Sequence, residues 1–338
     1  MPQLRYLGCI VVAAAAVLTP TLKASAEDSL KVTVAHRGSW ETAAPQLGQQ
    51  AGIFKKNGIA LDLTYAPDDE EAEQPAISGG ADVALGVGVM DVLHAYVDKD
   101  APLRIIGANM TGSPKYWYVA ESSPIKKVKD IRGGTIAYSK TGTAGQYDVF
   151  DLMDRYRLKA RPVLTSGETA AFDQVVAGKI DVGWAMPPFG VEALEQGKIR
   201  VVAKANEIPK IRDRTVSVMI ANADTLQKRN EVLGRFVQAY RETIEWMYAD
   251  PAAPKAYAEF AGMPEALARR LRDEFFAKEM LTPDKIVGLS VVAKDAAKLK
   301  YIRAALSRKQ LAELVQIPSS ERVKASAKGG WFRVFSPR

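Results

Sequence analysis

Pro124-Ile125-Lys126-Lys127-Val128-Lys129-Asp130-Ile131-Arg132-Gly133-Gly134-Thr135-Ile136-Ala137-Tyr138, followed closely by Lys140-Thr141-Gly142-Thr143-Ala144-Gly145, is the stretch whose reading decides the fold. A charged loop enters a short apolar strand, the strand enters a turn of glycine and threonine, and the turn opens a helix. Such a junction leaves free backbone N–H groups converging on one spot, where an anion or carbonyl oxygen is well received. Thr141, Gly142, Thr143 and Ala144 are therefore the leading candidates for ligand contact, and Thr143 also suits the N-cap of the following helix. No Gly-Lys-Ser/Thr follows at the spacing of a nucleotide-binding P-loop, so that reading is excluded.

Outward from this unit the same alternation repeats. Towards the N-terminus, residues 30–35, 59–65, 81–86 and 103–107 read as strands, with a helix from Pro45 to Gly58 carrying Leu47, Ala51 and Phe54 on one face and a shorter helix ending at Gly79-Gly80. Towards the C-terminus come a helix over 144–156, strands over 162–165, 180–184 and 199–203, and helices over 169–177 and 191–196. Tyr116 to Ala120, an aromatic strand, and Thr215 to Ala221 read as two segments crossing between halves of the chain. Strand-helix alternation with short connections specifies α/β architecture with mainly parallel sheets flanked by helices. Beyond residue 221 the pattern is helical: Val232, Phe236, Ala239, Thr243 and Met247 recur at helical spacing, and helices are expected over 264–278, 283–292 and 296–315.

The first 26 residues have the form of a cleaved secretory signal: Arg5, an apolar stretch from Tyr6 to Leu18, and Ala24-Ser25-Ala26 as a small-x-small cleavage pattern. Cys9 is the only cysteine, and its place ahead of most of the apolar core argues against a lipoprotein anchor. The mature chain, beginning at Glu27, would hold no thiol, so disulfides, thiolate metal sites and cysteine nucleophiles are excluded. Removing Arg5 and Lys23 leaves 44 basic against 39 acidic residues, a net charge of +5 where the whole chain carries +7. The charges are interspersed with no long basic stripe, which excludes a nucleic-acid partner. With 47% hydrophobic residues, a mature chain of about 310 residues is large enough for two lobes, each with its own core.

The loops after the strands supply the remaining site candidates, because ligands of open α/β sheets bind beyond the strands' carboxyl ends. After the first strand stand Arg37, Gly38, Trp40 and Glu41, with Arg37 able to fork onto a carboxylate or sulfonate and Trp40 able to stack on a ring. Gly88 and Val89 follow the third strand. Lys115 and Trp117 flank the first crossing, and Trp184, Met186 and Pro187 end a strand of the second half. His36 and His94 are far apart without carboxylates at ligand spacing, so no metal site is expected. Gly86-x-Gly88 lacks the rest of a dinucleotide fingerprint, and no catalytic triad suggests itself, so neither a cofactor nor catalysis is expected.

Residues 47–59, 77–84, 124–137, 175–182 and 236–240 together resemble, in order and spacing, the periplasmic solute-binding proteins of ABC importers for nitrate, taurine and alkanesulfonates and their thiamine-pyrimidine-precursor relatives. The resemblance implies a two-lobed periplasmic-binding-protein fold of type II. Residues 27–116 and 220–338 would form lobe 1, residues 117–219 lobe 2, and the ligand would lie in the cleft between them. It further implies a monomeric, non-catalytic receptor that captures a small-molecule ligand and delivers it to a membrane permease driven by an ATPase. The rival it allows is an enzyme of the same fold acting on a pyrimidine or a sulfinate. The chain departs from the alkanesulfonate pattern at Met186-Pro187-Pro188, where Trp-Asp-Pro is usual, and Gly86-Val87-Gly88-Val89 has no hydroxyls. These departures point to an apolar cleft and a small organic ligand with an aromatic or apolar body and one anionic or polar head.

Overall fold

The computed structural model describes residues 27–139, 141 and 144–319; the expected signal segment and the tail from residue 320 lie outside them. The described residues form three sheets, of five, three and two strands, with helices packed around them. Lobe 1 is built on β1 (Asp28–Ala35), β2 (Ile59–Ala66), β3 (Val83–Gly88) and β4 (Leu103–Thr111), and lobe 2 on β5 (Tyr116–Ala120), β6 (Thr135–Tyr138), β7 (Arg161–Leu164), β8 (Gly183–Ala185) and β9 (Ile199–Lys204). The chain then returns to lobe 1 as β10 (Thr215–Asn222).

In lobe 1 the strand order is β2-β1-β3-β10-β4. β1 runs parallel to β2 and β3, and β10 lies antiparallel between β3 and β4. In lobe 2, β5 is antiparallel to both β8 and β9, while β6 pairs in parallel with β7 and, through the Ile136–Val182 bridge, with the segment leading into β8. Thr135 locks that junction by donating its backbone N–H and its hydroxyl to the Asp181 carboxylate, at 2.8 and 2.7 Å. The sheets are therefore mixed rather than mainly parallel as expected: in each lobe two pairings are parallel and two antiparallel, and both antiparallel ones are made by the strand on which the chain arrives from the other lobe. Strand pairing begins at the first residues after each crossing. Tyr116 is already bonded to Ala185 in lobe 2, and Thr215 to Met219 are already laddered onto β4 in lobe 1.

Each of the expected strands is present with its ends moved by a few residues. The helices depart more. The helix expected from Pro45 to Gly58 is two, Ala44–Gln50 and Ile53–Lys56, because Gly52 adopts φ +73°, a left-handed conformation that ends a helix. No helix covers 283–288. The carbonyl of Pro283 instead accepts from Ala108 N–H at 3.0 Å and that of Val287 from Thr215 N–H at 2.9 Å, so this segment lies along the sheet edge near the crossings. Gly288 at φ +72° then opens the helix Leu289–Lys298, and Lys300 at φ +60° follows its end, which leaves Arg308–Leu314 as a separate short helix.

The 20-residue helix Asn230–Ala249 is the main brace of lobe 1 and buries Phe236, Ala239, Thr243 and Met247 on one face, as their spacing predicts. Phe236 packs on Phe54 with ring centroids 5.7 Å apart. The helix Glu265–Phe275 reaches across to lobe 2, where Phe275 meets Tyr116 (5.6 Å between centroids) and Arg270 pairs with Glu195 at 2.9 Å. Among the described residues, no helix is long and apolar enough to cross a membrane.

Candidate functional site

The carboxyl ends of the parallel strands of both lobes, and the amino ends of the two antiparallel ones, border one cleft of about 590 Å³. From lobe 1 it is lined by His36, Glu41 and Thr42 after β1, Asp68, Asp69 and Glu70 after β2, Gly88, Val89, Met90 and Asp91 after β3, and Val216 and Ser217 at the start of β10. From lobe 2 come Ser139 after β6, Ser166 and Gly167 after β7, and Trp184 and Met186 at the end of β8, with Lys115 entering from the first crossing. This is the placement that the strand-end rule demands of two facing α/β lobes.

The structure brings together Glu41, Gly88, Val89, Lys115, Trp184 and Met186 of the expected site residues and disperses the others. Trp40 is not a cleft wall: it is fully buried in the lobe 1 core, edge-on to Tyr257 (4.9 Å) and Tyr248 (5.9 Å), and its indole N–H donates to the Tyr248 hydroxyl at 3.1 Å. Arg37 lies over Phe260 (4.8 Å) and Tyr65 (5.6 Å) outside the cleft. Gly38 holds the chain at φ +97°, and its carbonyl accepts from the Tyr257 hydroxyl at 2.7 Å. Trp117 is buried in the lobe 2 core, because alternation along β5 sends it to the face opposite Tyr116 and Tyr118. Pro187 is buried beside the cleft without lining it, and its bond to Pro188 is cis. Thr141 is exposed next to Tyr138. Gly142, Thr143 and the side chain of Ala144 lie outside the described residues.

Three features of the lining were not assigned from the sequence. The first is the acidic rim, Asp68 to Glu70, after β2. Asp68 caps the helix Asp69–Ser78 by accepting from Glu71 N–H, and Asp69 accepts from His36 Nε2 at 3.1 Å, the bond that raises the His36 pKa above its ordinary value. The second is the Ser166-Gly167 turn after β7, and the third is Ser217. Applying the strand-end rule to β2 and β7 would have found the first two; Ser217 sits at the amino end of an antiparallel strand, which that rule does not cover. Gly88 has a steric reason to be glycine, since a Cβ there would stand 2.9 Å from Asp91 Oδ2 and 3.0 Å from Asp69 Oδ2. The lining is therefore richer in carboxylates than the apolar cleft the sequence suggested.

Two buried carboxyls and one buried ion network shape the electrostatics. Burial pushes the Glu41 pKa up to about 7, and Glu73, behind the rim, is pushed up to about 7 by burial and then by Asp91. Burial also raises Glu168, whose Oε1 accepts from Met186 N–H and so fixes the loop after β8. Lys115 pairs with Asp148 on the helix Ala144–Tyr156, and its ammonium stands 5.5 Å from the centre of the Trp184 ring. Arg214, at the return crossing, binds Asp148 and, at 3.0 Å, Asp151. Among the described residues, no group of histidines, cysteines and carboxylates could hold a metal ion.

Solved structures share this fold. The periplasmic aliphatic sulphonate binding protein SsuA from Escherichia coli superposes with a TM-score of 0.70 at 17% identity, over 85% of this chain and 97% of that one. The alkanesulfonate-binding protein SsuA from Xanthomonas axonopodis pv. citri, bound to MOPS, gives 0.61 at 17% identity over 87% and 100%. The chain thus has the two-lobed fold of the periplasmic binding proteins. Residues 42–253, more than half of the chain, match the model of the family described as NMT1/THI5 like, and the chain belongs to that family. A 4-amino-5-hydroxymethyl-2-methylpyrimidine phosphate synthase of Saccharomyces cerevisiae is 23% identical over 63% of this chain and 66% of its own. The chain spans between 38% and 66% of the length of such curated relatives.

Proposed function

We propose that this protein is the solute-binding component of an ABC importer. It captures a small organic molecule between its lobes in the periplasm, after cleavage of residues 1–26, and delivers it as a monomer to a membrane permease with its ATPase. The observation that carries this reading is the cleft of about 590 Å³ lined at the strand ends of both lobes, beside the two crossings that join them. A ligand that touches both lobes gains contacts only when they close, and that difference in affinity is what drives an open-closed equilibrium. Glu41, Gly88, Val89, Lys115, Trp184 and Met186 are the proposed contacts among the residues the sequence singled out, and the Thr141-Gly142-Thr143-Ala144 stretch is proposed to join them. The periplasmic binding proteins that share the fold support the reading. The enzymatic rival draws its support from the yeast pyrimidine phosphate synthases.

Mass spectrometry of the freshly purified mature protein, followed by calorimetry with the compound found, tests the proposal. A bound solute at about 100 times its dissociation constant adds roughly 2.7 kcal/mol to stability, which a thermal melt registers. The receptor reading predicts binding and a raised melting point with the compound recovered unchanged. Chemical conversion of the bound compound would overturn it in favour of an enzyme on the same fold.

A further inference from the structure

The cleft's charges are unequal in number and in availability. Its lining holds the carboxylates of Glu41, Asp68, Asp69, Glu70 and Asp91 against two basic side chains. Both bases are already committed to carboxylates, His36 to Asp69 and Lys115 to Asp148, and the Lys115–Asp148 pair is nearly excluded from solvent. An anionic ligand would meet a surplus of negative charge and could draw a cation towards itself only by weakening a buried pair.

A second observation is independent of the charge count. Glu41 is 93% buried and Ser217 91% buried, both line the cleft, and Glu41 Oε2 and Ser217 Oγ have no hydrogen-bond partner. The Trp184 indole N–H, on the facing lobe, is likewise buried and without a partner. Glu41 is also held in place: its backbone carbonyl accepts from Asn109 Nδ2 at 2.9 Å and from the Tyr240 hydroxyl at 3.4 Å. A buried polar atom left unmatched costs free energy, more so for a carboxylate, and the cost is recovered when a complementary group arrives. Glu41 can only accept when ionised, Trp184 can only donate, and Ser217 can do either.

On the reading of this cleft as a solute site, we infer that its ligand is a small organic compound that presents N–H donors, as a protonated amine or an amidine-like group, to Glu41, with an acceptor on the same molecule facing Trp184. The Glu41 carboxylate is the charged anchor, Ser217 completes the lobe 1 contact, and Trp184 supplies the contact that requires closure. Sulfonates and carboxylates, which present acceptors only, are disfavoured.

Calorimetry at low salt with probes of matched body and opposite charge tests the assignment: benzamidine against benzoate, and butylamine against butanesulfonate. The mature wild-type protein is expected to bind the cation at least tenfold more tightly than the anion in one or both pairs. Glu41→Gln is expected to weaken that cation at least tenfold while far-UV circular dichroism stays native, and Ser217→Ala, a smaller change, to weaken it severalfold should the glutamine variant not fold. Tighter binding of the anion, binding of neither cation, or full cation affinity in Glu41→Gln or, where that variant is unfolded, in Ser217→Ala would overturn the assignment. A tightly bound anion that also compacts the protein would do so while leaving the receptor reading in place, which separates the two failures.

Discussion

Lys115 and Asp148 form an ion pair in which both side chains are nearly excluded from solvent, at 8% and 3% exposure, and the pair joins the first crossing to the first helix of lobe 2. Arg214, from the return crossing, binds the same Asp148. One carboxylate therefore ties together both segments that cross between the lobes, next to the cleft. A buried charge cluster of this kind fixes geometry more than it adds net stability, because desolvation offsets much of the attraction.

Removing the Asp148 charge would take from buried Lys115 its ion pair and leave Arg214 with Asp151. Asp148→Asn is expected to cost about 3–5 kcal/mol, the range for an uncompensated buried charge. Lys115→Met, which keeps Asp148 paired with Arg214, is expected to cost less. Urea denaturation of the two variants side by side checks the order; equal costs would contradict it.

Trp40 is a core residue. Trp40→Ala should lower stability by about 3–5 kcal/mol, as large-to-small changes of a buried aromatic do. Trp40→Phe, which deletes the N–H donated to Tyr248, should cost about 1 kcal/mol and leave solute affinity unchanged. Chemical denaturation and calorimetry on the phenylalanine variant check both statements, and a loss of affinity there would return Trp40 to the cleft.

Glu41 makes stability fall as pH rises. Its folded pKa of about 7 stands above the ordinary 4.5 because of burial, partly offset by hydrogen bonding to its own backbone and by His36. Tyr240, Tyr248 and Tyr257 also face it. Between pH 4.5 and 7 the folded chain keeps a proton that the unfolded chain releases, so the stability present below pH 4.5 is lost progressively up to about pH 7. The difference in stability between wild type and Glu41→Gln should shift by about 3 kcal/mol across that window. Denaturation at pH 4.5, 6 and 8 measures it, and a flat difference would contradict it. If a cation binds there, its affinity should rise with pH up to about 7, because the carboxyl must ionise to receive it.

The strands and their order were legible because the signal is local: apolar runs such as Leu30 to Ala35 and Thr135 to Tyr138 are bounded by turn residues and need no distant partner to be recognised. The helix breaks at Gly52 and Gly288 were not, since a glycine inside a helical pattern does not declare whether its φ will be positive. The segment from Pro283 to Val287 is withheld from a helix by bonds to Ala108 and Thr215, partners 175 and 72 positions earlier in the chain. The place of Glu41, Gly88 and Met186 in the cleft lining followed from topology. Trp40 and Trp117 misled because an aromatic near a strand end reads the same whether it faces a ligand or a core, and only the packing of Tyr248, Tyr257 and the lobe 2 core decides. The acidic rim read as an ordinary solvated turn; its significance depends on lobe 2 facing it.

Small-angle scattering of the mature protein, stripped by unfolding and refolding and then titrated to saturation with its bound solute, tests the central claim most directly. Closure of two lobes on a shared ligand predicts a smaller radius of gyration at saturation, with the change following the binding isotherm. Saturable binding with an unchanged radius would contradict the account.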